Sequence, residues 1–86
     1  MNTNIIMYGA DWCHDCMAAK AILEEKKISY ELRDITDPIH KDEYIEKLTE
    51  LNDGKRIIPT FVIGGNHYPN PKPSELHNLL EKIKNA

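Results

Sequence analysis

The spacing of apolar positions changes period several times along the 86 residues, and each change predicts a new element. Asn4 to Tyr8 (NIIMY) is apolar on both faces and bounded by Gly9, as a buried central strand would be. From His14 to Lys27 the period becomes helical, with Met17, Ala18, Ala21 and Ile22 forming an apolar stripe opposite Lys20, Glu24 and Lys27. Ile28 to Ile35 (ISYELRDI) alternates Ile28, Tyr30 and Leu32 with Ser29, Glu31 and Arg33, the period of a strand. Asp37-Pro38 then offers a capping side chain followed by proline at a first helical position. Tyr44, Leu48 and Leu51 carry that helix, and Asn52-Asp53-Gly54 stops it.

Thr60 to Ile63 (TFVI) reads as a further compact strand. Gly64-Gly65-Asn66 is a tight turn, and His67-Tyr68 begins a returning strand. Prolines at Pro71 and Pro73 crowd the opening of a last helix, whose stripe is Leu76, Leu79, Leu80 and Ile83. The order is β-α-β-α-β-β-α. Strand, crossover helix and strand imply a parallel pair, and the Gly-Gly turn implies an antiparallel hairpin. The expectation is an α/β fold: a small four-stranded mixed sheet carrying three helices, in a single domain spanning residues 1–86.

Composition narrows the function classes. The formal charge is −3 with both signs interspersed, and the longest basic clusters, Lys26-Lys27 and Lys55-Arg56, are too short for a polyanion site. Nucleic-acid binding is therefore not expected. No apolar run approaches the roughly 18 residues of a membrane span. The opening MNTNIIMYGADW lacks a basic head, a long apolar centre and a small-residue cleavage site, and reads as mature sequence. Two cysteines are too few for the disulfide framework of a small secreted domain. Together these features point to a cytoplasmic protein, expected to act as a monomer.

Both cysteines lie in one motif, Asp11-Trp12-Cys13-His14-Asp15-Cys16. Cys13 falls where the first strand gives way to a helix, beside unpaired N–H groups and the positive end of the peptide dipole. Cysteines in such settings fall from a pKa near 8.5 to roughly 3.5–7.5, and the thiolate is the attacking species in disulfide exchange. Cys16, one turn on, shares that face and can reach back to Cys13. The pair therefore supports a full cycle: Cys13 attacks a substrate disulfide, a mixed disulfide forms, and Cys16 resolves it. Within the motif, protonated His14 would favour the Cys13 thiolate, while Asp15 would keep Cys16 protonated.

A lone CxxC also fits other chemistry. It is half of a zinc site, or one share of an iron–sulfur cluster bridged between chains, and this metal-binding module is the alternative reading. His40, His67 and His77 are dispersed, and no second CxxC exists. A structural disulfide across so short a loop would constrain little of the unfolded chain. The strand-then-helix context favours the redox pair over a metal clamp or an inert binding domain. Trp12, in the strand-to-helix loop, is expected as an exposed aromatic beside the reactive sulfur. Ile58-Pro59 removes a ladder donor just before a strand, and propensity alone makes that bond trans.

MYGADWCHDC and KRIIPTFVIGG, in this order and spacing, resemble a glutaredoxin-like member of the thioredoxin superfamily over nearly the whole chain. GADWC is similar to a thioredoxin active site, yet Met7 stands where thioredoxins carry a buried carboxylate. NDGKRIIPTF and YPNPKPSEL resemble mycoredoxins and related small glutaredoxins, and NrdH-type redoxins share the size and CxxC position. The resemblance implies a thioredoxin fold of glutaredoxin type, a cis Pro59 beside the CxxC, and a backbone at Ile58 that receives a bound thiol.

It implies a dithiol-disulfide oxidoreductase with Cys13 as nucleophile and Cys16 as resolving thiol. Trp12, His14, Arg56, Ile58, Pro59, Gly64, Gly65 and Asn66 would make the substrate- and thiol-binding surface. In glutaredoxins a basic side chain and an acidic pair hold glutathione. Arg56 matches the first, whereas Asn66 follows Gly64-Gly65 where the acidic pair is expected. No bound cofactor or metal is implied. Glutathione, a mycothiol-like thiol or a thioredoxin-reductase-type flavoprotein would recycle the pair, and disulfide-containing proteins would be substrates.

Overall fold

The computed structural model describes residues 4–84. The opening read as mature sequence therefore lies partly outside the described residues, as do both ends of the expected domain. The elements run β1 (Ile5–Gly9), α1 (His14–Glu25), β2 (Glu31–Asp34), α2 (Lys41–Leu51), β3 (Thr60–Ile63), β4 (Asn66–Pro69) and α3 (Pro73–Lys84). The sheet order is β2-β1-β3-β4, with β1 parallel to β2, and β3 antiparallel to both β1 and β4. Element order, sheet and helix count agree with the expected fold.

β1 is central because both of its faces are covered. Ile5, Met7, Phe61 and Ile63 pack with Cys16, Ala19 and Leu23 of α1 and Leu76 and Leu80 of α3. On the other side Tyr8, Ala10 and Ile35 meet Leu48 of α2, with Ile6 and Val62 packed against them. Cys13 and Ile58 touch both clusters, so the CxxC end of β1 lies where the two cores meet.

Four details depart from the sequence reading. The buried line of α1 is Cys16, Ala19 and Leu23, whereas Met17, Ala18 and Ala21 are exposed. Small Ala18 and Ala21 carry too little apolar area to fix the rotation of the helix, and Leu23 takes the core instead. β2 starts at Glu31 rather than Ile28; it is an edge strand, and its Leu32 is 37% exposed. α2 starts at Lys41 rather than Pro38. Asp37 makes a turn of its own there, its Oδ1 accepting from Ile39 N–H at 3.0 Å and its Oδ2 lying 3.1 Å from His40 Nδ1. Asn66 belongs to β4, leaving Gly64 (φ +58°) and Gly65 (φ +83°) as the two-residue hairpin turn.

Candidate active site

The chain leaves β1 through Ala10-Asp11-Trp12 and enters α1 with Cys13 at the N-cap (φ −89°, ψ 115°). The Cys13 sulfur takes the place of a capping oxygen and accepts the backbone N–H of Cys16 at 3.2 Å. On its other side lies the carbonyl oxygen of Ile58 at 4.0 Å. Cys13 is half-buried and Cys16 is fully buried. Burial, first, and then a hydrogen bond to the Cys13 sulfur push the Cys16 thiol up to about 12. The cause is desolvation of a would-be thiolate, not the Asp15 charge expected from sequence, since the Asp15 side chain faces solvent.

The Ile58–Pro59 bond is cis, as the resemblance implied and propensity did not. Pro59 is buried, and the loop is braced from below. Thr60 Oγ1 donates to the Ile57 carbonyl at 2.6 Å, and Asn52 Nδ2 donates to Thr60 Oγ1 at 3.1 Å and to the Leu48 carbonyl at 3.2 Å. Both polar side chains are buried, so these bonds satisfy groups that water cannot reach.

The expected binding residues divide by place. Trp12 (67% exposed) and His14 flank Cys13 on the solvent side, and the Ile58 carbonyl, just before cis-Pro59, faces it across the gap. Arg56 lies exposed two residues before Ile58. Gly64, Gly65 and Asn66 are not part of this cluster. The hairpin pairs Thr60 with Pro69 and Ile63 with Asn66, so that turn lies roughly 10 Å along β3, at the opposite end of the sheet.

The segment that returns to Pro59 is the next one, Asn70-Pro71-Lys72, whose first residue donates its N–H to the Pro59 carbonyl at 2.6 Å. Asn70 has φ +40° and opens the loop into α3. Together with Asp15, Ala18 and Leu76 this loop lines a crevice of about 180 Å³ between α1 and α3. The strand lengths set by the Gly-Gly turn carried that signal in the sequence: four residues out along β3 are matched by four back along β4. Among the described residues no three His, Cys, Asp or Glu side chains converge, so a metal at the pair would need ligands from outside them. No described helix is long and apolar enough to cross a membrane.

Comparison with known proteins places this geometry. Mycoredoxin 1 of Corynebacterium glutamicum is 29% identical over 82 residues, covering 94% of this chain and 98% of that one. Glutaredoxin 1 of Rickettsia conorii is 32% identical over 84 residues, covering 90% of this chain and 80% of that one. The crystal structure of a glutaredoxin from Archaeoglobus fulgidus shares the fold at a TM-score of 0.75 and 23% identity, covering 88% of this chain and 84% of that one. The glutaredoxin family model matches residues 5–68, from β1 through the CxxC and Pro59 into β4, and the chain belongs to the glutaredoxin family.

Proposed function

We propose that this glutaredoxin is a dithiol-disulfide reductase in which Cys13 is the nucleophile and Cys16 the resolving thiol. The observation that carries the reading is the asymmetry of the pair. One sulfur is reachable, caps a helix and accepts an N–H; the other is fully buried behind it and held protonated. Cys13 attacks a substrate disulfide and releases one thiol. Cys16 then loses its proton, attacks the Cys13 sulfur of the mixed disulfide and releases the second thiol. The cysteine pair ends oxidised and the substrate reduced, with the two electrons supplied by the dithiol.

The edges of the site suggest how substrates dock. Ile58 presents its backbone beside Cys13, Trp12 and His14 border the sulfur from the solvent side, and Arg56 supplies a nearby cation. The Asn70–Lys72 loop, bonded to Pro59, closes the site in the place that the resemblance assigns to Gly64–Asn66. In this reading disulfide-containing proteins are substrates, and a low-molecular-weight thiol of the glutathione or mycothiol kind, or a thioredoxin-reductase-type flavoprotein, reduces the pair again. The protein works as a cytoplasmic monomer without a resident cofactor.

The test is a set of NADPH-coupled assays with Cys13→Ser and Cys16→Ser. Cys13→Ser is expected to abolish turnover, and Cys16→Ser to accumulate mixed disulfides. Reduction of a model disulfide that survives in Cys13→Ser overturns the assignment. Running the assay with glutathione and its reductase, and separately with thioredoxin reductase alone, identifies the recycling system.

A further inference from the structure

Gly9 ends β1 and is the one described glycine that is both buried and free of positive φ. Gly54, Gly64 and Gly65 all adopt positive φ and have open space where a side chain would go. Their glycines answer to backbone conformation; Gly9 does not. Glycine in a strand often marks a place where another part of the chain approaches closely. That approach is visible: a β-carbon on Gly9 would lie 3.1 Å from Cys16 Sγ and 3.3 Å from the Met7 methyl. Packed heavy atoms prefer roughly 3.5–4.0 Å. The sulfur of the buried cysteine therefore sits closer to position 9 than a β-carbon there would leave it. Met7, fully buried, closes the same space from within the strand.

We propose that Gly9 is a positioning residue for disulfide exchange: by withholding a side chain, it lets the Cys16 sulfur settle against β1 at the depth from which it reaches Cys13. The inference rests on the dithiol reading above and adds a residue that touches no substrate. In the resolving step the Cys16 thiol gives its proton to solvent and its sulfur attacks Cys13. The Cys13–Cys16 bond forms as the bond from Cys13 to the substrate sulfur breaks, and the departing thiolate takes up a proton. A methyl at position 9 pushes the attacking sulfur, or the first turn of α1 that carries it, back by a few tenths of an ångström, with the Met7 methyl closing the other side. A displacement near 1 Å in such a step costs on the order of 100-fold, and a shift of a few tenths costs several-fold.

The experiment is a two-part comparison on the full chain. First, Gly9→Ala is equilibrated in 2-mercaptoethanol redox buffers, and mass spectrometry counts mixed disulfide against the Cys13–Cys16 disulfide. The effective concentration of Cys16 towards Cys13 is expected to fall about 3- to 10-fold. Ile63→Val, a change in the same core at the end of the sheet opposite to Gly9, is expected to keep the wild-type value while lowering Tm. Second, the Tm loss of Gly9→Ala, about 5–10 °C for overpacking in a domain of this size, is compared with its loss in a Cys16→Ala background. Removing the sulfur is expected to remove most of that loss.

A folded Gly9→Ala protein with the wild-type effective concentration overturns the proposal. So does an equal Tm loss in the two backgrounds. If Gly9→Ala alone does not fold, a folded Gly9→Ala/Cys16→Ala protein supports the proposal and an unfolded one overturns it. Failure of the reductase reading shows elsewhere, as turnover that survives Cys13→Ser, and leaves the Tm comparison intact.

Discussion

The side-chain amide of Asn52 donates to the hydroxyl of Thr60 at 3.1 Å, joining the end of α2 to the first residue after cis-Pro59. Thr60 passes the constraint on by donating to the Ile57 carbonyl at 2.6 Å. The loop that presents Ile58 to Cys13 is thus fixed by two buried polar side chains as well as by its proline.

Because both groups are buried, breaking this chain of bonds leaves a partner unsatisfied. Asn52→Ala and Thr60→Val are each expected to cost about 1–3 kcal/mol, and the double variant less than their sum. Urea unfolding of the four proteins checks this. Disulfide-reductase kcat/KM is expected to drop in both single variants, since the bond to the Ile57 carbonyl that braces the Ile58 loop is lost or loosened.

Alkali should destabilise the reduced protein through Cys16. Its thiol is raised from 9.0 in the unfolded chain to about 12 in the fold, so the folded state binds the proton more tightly. The stabilisation is complete below about pH 9 and is lost as pH rises towards 12. Chemical denaturation across that window is expected to show the loss in the wild type and a flatter profile in Cys16→Ala.

On the opposite face, Arg33 Nη1 donates to the hydroxyl of buried Tyr8 at 2.8 Å, and its guanidinium lies 5.5 and 5.8 Å from the Tyr8 and Tyr44 ring centroids. Arg33→Ala removes a hydrogen bond, two cation–π contacts and its pairing with Glu31, and leaves the Tyr8 hydroxyl without its donor. Tyr8→Phe removes that hydroxyl altogether. Arg33→Ala is therefore expected to cost about 1–3 kcal/mol and Tyr8→Phe clearly less. Thermal unfolding of the two variants is the check.

The hairpin turn offers a negative control for the site. Gly64→Ala forces an alanine to φ +58° in open space, at the sheet end remote from Cys13. The expected result is a stability loss of about 1 kcal/mol with no change in KM for disulfide substrates. Asn70→Ala, at the loop bonded to Pro59, is expected to raise KM. A raised KM in Gly64→Ala instead would return the turn to the docking surface.

Sequence periodicity determined the order of elements, the burial of β1 on both faces and the place of Cys13 at a helix opening, because each depends on residues near in the chain. It misjudged the rotation of α1, where Ala18 and Ala21 carry too little area to outweigh Leu23. The resemblance to glutaredoxins placed the Gly64–Asn66 turn beside the site, because motif adjacency says nothing about direction along a strand. The matched four-residue strands already bring Asn70 back to Pro59. Only the folded chain decided that burial rather than Asp15 holds the Cys16 proton and that Gly9 makes room for a sulfur. These outcomes arise from packing between segments distant in sequence, where register and desolvation are set by neighbours that local patterns do not name.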